Sequence, residues 1–128
     1  MKNIFALLVL FALIAGGCTQ AQTEQEQDAV NAGASGNPVT INVQLTQFEF
    51  TPNPITVKKG DIVTLNITSV DVPHGFSLPE FGVSVQPAVG ETKSVTFTAD
   101  KAGTFTFTCN VFCGQGHSNM AGQFVVEG

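Results

Sequence analysis

A chain of 128 residues has room for one modest domain. Charged residues make up 12%, arginine is absent and the net charge is -5, which excludes the basic footprint of a nucleic-acid binder. An acidic balance permits docking to a basic protein but is chiefly a statement about solubility.

The chain starts with Lys2, an apolar run over Ile4–Ala15 and then Gly16-Gly17-Cys18. That run is 12 residues by count, short of the roughly 20 that span a bilayer, and it fits the apolar region of a secretory leader. Small residues directly before a cysteine resemble the processing site of bacterial lipoproteins, with Ala15 where a leucine is usual. The expectation is a leader over residues 1–17, with Cys18 as lipidated first mature residue and membrane anchor. An uncleaved short anchor and an ordinary leader are the alternatives. All three place the rest of the chain outside the cytoplasm, in a periplasm or on the outer cell surface. Residues 18–37 are rich in Gln, Glu, Ala, Gly and Ser with almost no large apolar side chain. Such a segment cannot bury enough surface to fold, and it reads as a flexible tether with a reach of about 24 Å.

From residue 38 to 128 the pattern changes to that of a folded domain. Val39, Ile41, Val43 and Leu45 alternate with polar residues, the period of a half-buried strand. Pro52-Asn53-Pro54 interrupts the chain after Phe48 and Phe50, Ile55 and Val57 begin a short strand, and Lys58–Asp61 turns. Val63, Leu65 and Ile67 alternate again. Asp71–Gly75 reads as a loop and Phe81–Val85 as a short strand. Ser94–Thr98 and Thr104–Thr108 alternate around the turn Ala99–Gly103, and Gln123–Glu127 closes the domain. Short strands at turn-separated intervals, with no long amphipathic helix, predict an all-β fold, a small antiparallel sandwich or barrel.

Between the last two strands lies Cys109-Asn-Val-Phe-Cys113-Gly-Gln-Gly-His117-Ser-Asn-Met120. Thiolates and thioethers are soft ligands and imidazole serves both oxidation states of copper, so the mixture suits a redox couple. Phe105, Phe107 and Cys109 share one parity, which turns Cys109 inward if the phenylalanines face the core. His74 is the only other histidine; it sits in a loop that a sandwich can return to the same end. The residues alone leave other readings open. Cys109 and Cys113 could form a structural disulfide in an oxidising compartment. Both cysteines and both histidines could bind zinc. A copper chaperone or store could use the same soft donors. Glu49, Asp71 and Glu80 are isolated and read as solvated or turn residues, so no independent catalytic site is expected.

The spacing Cys109-x3-Cys113-x3-His117-x2-Met120, with Asp71-Val72-Pro73-His74 upstream, resembles the CuA domain of cytochrome c oxidase subunit II. Pro52-Asn53-Pro54-Ile55 and Gly60, Gly90 and Gly103 extend the likeness over about Val39–Val126. Short prokaryotic versions, such as the subunit II of ba3-type oxidases, are the most similar. The resemblance implies a cupredoxin-like antiparallel Greek-key β-sandwich. It implies two copper ions bridged by Cys109 and Cys113, with His74 and His117 on one copper each. Met120 would complete one set and the main-chain carbonyl of Val111 the other. It further implies electron transfer from a cytochrome c or a copper protein to a haem-copper oxidase, with subunit I as a partner. The chain departs from the family in having no Trp or Tyr at which electrons arrive, leaving Phe76, Phe81 and Phe112. Its N-terminal apolar segment is also shorter than the family's anchor helices.

Overall fold

Alternation of β-branched and aromatic residues with Thr, Asn and Gln fits a pleated surface with one wet face, and nine strands form among the described residues. The computed structural model describes residues 36–128. The predicted leader, Cys18 and all but the last two residues of the predicted tether lie outside the described residues. The strands are β1 (Pro38–Thr46), β2 (Glu49–Thr51), β3 (Ile55–Lys58), β4 (Ile62–Ser69), β5 (Phe76–Leu78), β6 (Val83–Val85), β7 (Thr92–Thr98), β8 (Gly103–Thr108) and β9 (Ala121–Glu127). One sheet runs β2-β1-β4-β7 and the other β3-β9-β8-β5-β6. This is the expected all-β sandwich. Two pairs, β1 with β4 and β3 with β9, run parallel within it. The remaining pairs are antiparallel.

The predicted alternation is realised most cleanly in β4, where Val63, Leu65, Ile67 and Ser69 are buried and the residues between them half-buried. On the wet face, Thr64 meets Thr96 at 2.9 Å, Thr68 meets Thr92 at 2.6 Å and Asn66 bonds Asn42 at 3.0 Å. The predicted strand over Phe81–Val85 is shorter: Pro79–Phe81 makes a single 3-10 turn, and β6 starts only after Gly82. Sequence reading passed over β2 and β5, each of three residues.

Phenylalanines fill the space between the sheets in two groups. Phe81, Phe97, Phe105 and Phe124 pack with ring centroids 5.0–5.6 Å apart. Phe50, Phe76 and Phe107 form the second group: Phe76 stacks on Phe107 at 4.8 Å, and Phe50 meets Phe107 edge-on at 4.9 Å. Such pairs contribute roughly 0.5–1.5 kcal/mol beyond the area they bury. Phe107 lies two residues before Cys109 and Phe76 two residues after His74, so this group fixes the ends of both donor-bearing segments.

Leu65 is fully buried in a strand paired on both sides. Leu65→Ala should therefore cost about 2–5 kcal/mol in urea unfolding of the metal-free protein. Thr64→Ala, one residue away on the outer face, should cost less than about 1 kcal/mol. Equal costs would contradict the register.

Candidate metal centre

The donors gather at one end of the sandwich because β8 and β9 hold the two ends of their loop together. After the rung Thr108–Ala121, the Cys109 amide donates to the Met120 carbonyl at 3.2 Å. Cys109 is buried as its parity with Phe105 and Phe107 predicts, and Cys113 and Met120 are buried with it. His117 begins a short 3-10 turn, His117–Asn119, and is half-buried.

His74 arrives from the loop after β4 and is fully buried. Ser69, at the end of β4, pins that loop. Its hydroxyl donates to the Pro87 carbonyl at 2.9 Å and accepts the His74 amide at 3.1 Å. Its carbonyl accepts the Gly90 amide at 2.8 Å.

The donor atoms form a short chain. His74 Nδ1 lies 4.0 Å from Cys109 Sγ, Cys109 Sγ lies 3.6 Å from Cys113 Sγ, and Cys113 Sγ lies 3.7 Å from His117 Nδ1. Met120 Sδ is 3.7 Å from Cys113 Sγ, and the Val111 carbonyl is 3.0 Å from Cys109 Sγ. With metal–nitrogen and metal–sulfur bonds of about 2.0–2.3 Å, two donors on one tetrahedral ion stand roughly 3.3–3.8 Å apart; the Cys109–Cys113 and Cys113–His117 links fall in this range and the His74–Cys109 link, at 4.0 Å, lies just beyond it. The donors of His74, Cys109 and Cys113 lie within 4.8 Å of one another. His117 and Met120 join this trio through Cys113, and the Val111 carbonyl through Cys109. All six predicted donors are thus brought together. Cys109 and Cys113 are free thiols.

Electrostatics prepare the imidazole. Asp71 Oδ1 lies 2.7 Å from His74 Nε2. Partial loss of water works against ionisation of Asp71. Hydrogen bonds from the Gln47 amide, the His74 ring and the Val72 amide outweigh it and hold the carboxyl at about 2. An ionised Asp71 takes the Nε2 proton as its hydrogen bond, which leaves the Nδ1 lone pair turned toward Cys109. A carboxylate behind a histidine in this way fixes the tautomer and raises ligand basicity. On the sulfur side, burial and the adjoining Cys109 thiol push the Cys113 thiol up to about 11, so a metal has to displace a proton there. Cys109 Sγ also accepts the Gly75 amide at 3.5 Å.

Asp71 lies exposed in a bend, as a solvated or turn residue would, and is in addition the hydrogen-bond partner of the buried histidine. The signal was its place three residues before His74 in a loop braced by Pro73. Ser69 and Gln47 carried no such signal. Of the three aromatic residues considered for electron arrival, Phe76 is fully buried, Phe81 is half-buried and packed on the core, and Phe112 is 76% exposed. The Phe112 ring centroid lies 5.7 Å from that of His117.

Residues 4–126 match the family model of the cupredoxin-like domain. Over 91 residues the chain is 38% identical to a cytochrome c oxidase subunit 2 of Thermus thermophilus, covering 71% of this chain and 67% of that protein. A second cytochrome c oxidase subunit 2 of Thermus thermophilus is also 38% identical, and the chain spans about half of its length (54%). The fold is similar to that of the periplasmic domain of subunit II of cytochrome oxidase (CoxB) of Bradyrhizobium japonicum. The TM-score is 0.64 at 24% identity, covering 69% of this chain and 83% of that one. The fold, the gathered soft donors and these likenesses agree: the chain belongs to the cupredoxin family, among the copper-binding domains of cytochrome c oxidase subunit II.

Proposed function

We propose that this chain carries electrons through a dinuclear copper centre of the CuA type. The observation that supports it is the order of the donors: imidazole, thiolate, thiolate, imidazole, with consecutive separations of 4.0, 3.6 and 3.7 Å. In this reading Cys109 and Cys113, in the middle of the chain, would hold both ions, and His74 and His117, at its ends, would hold one each. A single tetrahedral ion would ask for all four donors at mutual contact distance. Met120 and the Val111 carbonyl would complete the two sets. Held by these residues, copper would supply one-electron transfer, with the change in charge shared between two ions. The protein's contribution is to hold its donors still: buried sulfurs, a tautomer fixed by Asp71 and a loop base locked by a strand ladder leave little to rearrange. Storage or chaperoning of copper asks instead for donors that let the metal leave, and the burial of His74, Cys109, Cys113 and Met120 does not favour that reading.

The donor would be a cytochrome c or a copper protein, and the acceptor a haem-copper oxidase through its subunit I. His117 is the less buried of the two imidazoles, and Phe112 stands beside it in solvent. We assign this face to electron arrival, with Phe112 in the place a Trp or Tyr would take. Relatives named as subunit II support an extracytoplasmic domain. In this reading residues 1–17 are a leader, Cys18 carries the lipid that holds the chain at the membrane, and residues 18–37 tether the domain of residues 38–128.

Copper reconstitution should give two ions per chain and an electron paramagnetic resonance spectrum with the unpaired electron shared over both. One ion per chain, or a spectrum localised on a single copper, would sink the proposal. Cys109→Ser should abolish the shared-electron spectrum. Met120→Leu should retain copper and raise the reduction potential, because losing a donor destabilises oxidised copper more than reduced; an unchanged potential removes Met120 from the ligand set. Phe112→Ala should leave the copper spectrum unaltered and slow electron uptake from a cytochrome c about tenfold, the size of a single aromatic hot spot. Stopped-flow reduction measures it.

A further inference from the structure

We propose that Gln47 is a positioning residue that ties together the two loops bearing the copper donors; the inference rests on the copper-centre reading. Gln47 lies in the turn between β1 and β2 and belongs to neither loop. Its main-chain amide donates to Asp71 Oδ2 at 2.8 Å, while Asp71 Oδ1 engages His74 at 2.7 Å. Its side-chain Nε2 donates to the Cys113 carbonyl at 2.7 Å. One residue therefore closes a path His74–Asp71–Gln47–Cys113 outside the metal site.

The segment after Cys113 needs such a hold. Gly114, at φ +133°, takes a backbone conformation that side-chain-bearing residues rarely adopt. With Gly116 it leaves the approach to His117 with little side chain to anchor it, and glycine-rich backbone is soft. Main-chain bonds at 3.1 Å from His117 to Gly114 and 3.0 Å from Asn119 to Gly116 shape this segment from within. Among the described residues, Gln47 supplies the one hydrogen bond that reaches residues 113–116 from outside the Cys109–Met120 loop. The neighbouring Phe48 adds a lid. A Cβ on Gly114 would stand 2.9 Å from the Phe48 ring and from Gln47 Nε2, and a Cβ on Gly116 would overlap that ring. The turn thus presses on the glycine segment from above while Gln47 holds the Cys113 carbonyl. Displacement of a donor by even 1 Å is costly to a site that depends on fixed geometry.

The test uses the full chain and two variants. Gln47→Leu removes the side-chain donor but keeps the main-chain bond to Asp71. Gln47→Lys restores a donor of sufficient reach. In the metal-free protein, Cys113 alkylation by iodoacetamide, located by peptide mass, should be about fivefold faster in Gln47→Leu, the worth of one neutral hydrogen bond. It should return to the wild-type rate in Gln47→Lys. In the copper-loaded protein, Gln47→Leu should shift the thiolate-to-copper absorption band and release reduced copper to bathocuproine disulfonate about fivefold faster. The urea midpoint should stay at the wild-type value in both variants, since Gln47 is exposed. Wild-type alkylation and release rates in Gln47→Leu, equal acceleration in Gln47→Lys, or acceleration that follows a lowered urea midpoint would each overturn the proposal. A wild-type chain that takes up no copper would overturn the copper reading instead, and the alkylation rates would still decide the role of Gln47.

Discussion

The strand ladder between β8 and β9 is the constraint on which the site depends. It brings Cys109 and Met120, the two ends of a twelve-residue stretch, opposite each other just beyond the last rung through the bond from the Cys109 amide to the Met120 carbonyl. The cost of closing a loop grows only slowly with its length, so the ladder's main effect is on direction. With Phe107 and Phe124 buried on the two strands, the first thiol and the thioether can only point into the space between the sheets. The stack of Phe76 on Phe107 then aligns the strand after His74 with the strand before Cys109. The proposed copper donors are thereby gathered by core packing, which would leave a metal little to organise.

Much of this was legible from the chain. The alternation of Val63, Leu65 and Ile67 specified a strand with one buried face, and the common parity of Phe105, Phe107 and Cys109 specified the direction of a ligand. The spacing of Cys113, His117 and Met120 carried the chemistry. Other features are not written in alternation. A period of two says which face is buried but not whether a neighbour runs parallel, so the pairing of β1 with β4 and of β3 with β9 had no signal. Strands of three residues, such as β2 and β5, are too short to show a period. The proposed carbonyl ligand at Val111 leaves no trace in the side chain and is implied only by likeness to a family. Asp71 and Gln47 act through hydrogen bonds between segments far apart in sequence, which only the assembled fold brings into register.

Charge at this end of the molecule follows a simple logic. Two thiolates with Asp71 would place three negative charges close together, and among the described residues no lysine pairs with any of them. Without metal, burial and mutual proximity keep the Cys113 thiol protonated far above neutral pH. The compensating positive charge has to come from the metal, which therefore enters against protons rather than against a competing side chain. A site built in this way favours cations that bind sulfur strongly and gives little to hard cations that prefer oxygen.

The compactness of the Cys109–Met120 stretch has a thermodynamic side. Two thiols, an imidazole and a thioether this near in sequence remain near one another in a denatured chain. Soft metal ions will bind them there as well, and a ligand that binds both states stabilises the fold only by the difference between the two affinities. That difference resides in what the denatured chain cannot supply: His74, which is 35 residues from Cys109, its tautomer set by Asp71, and exclusion of water by the phenylalanines. In the proposed centre the histidine contributed from across the sandwich is therefore the donor that would couple metal affinity to folding stability, while the local cluster alone would leave the two nearly independent.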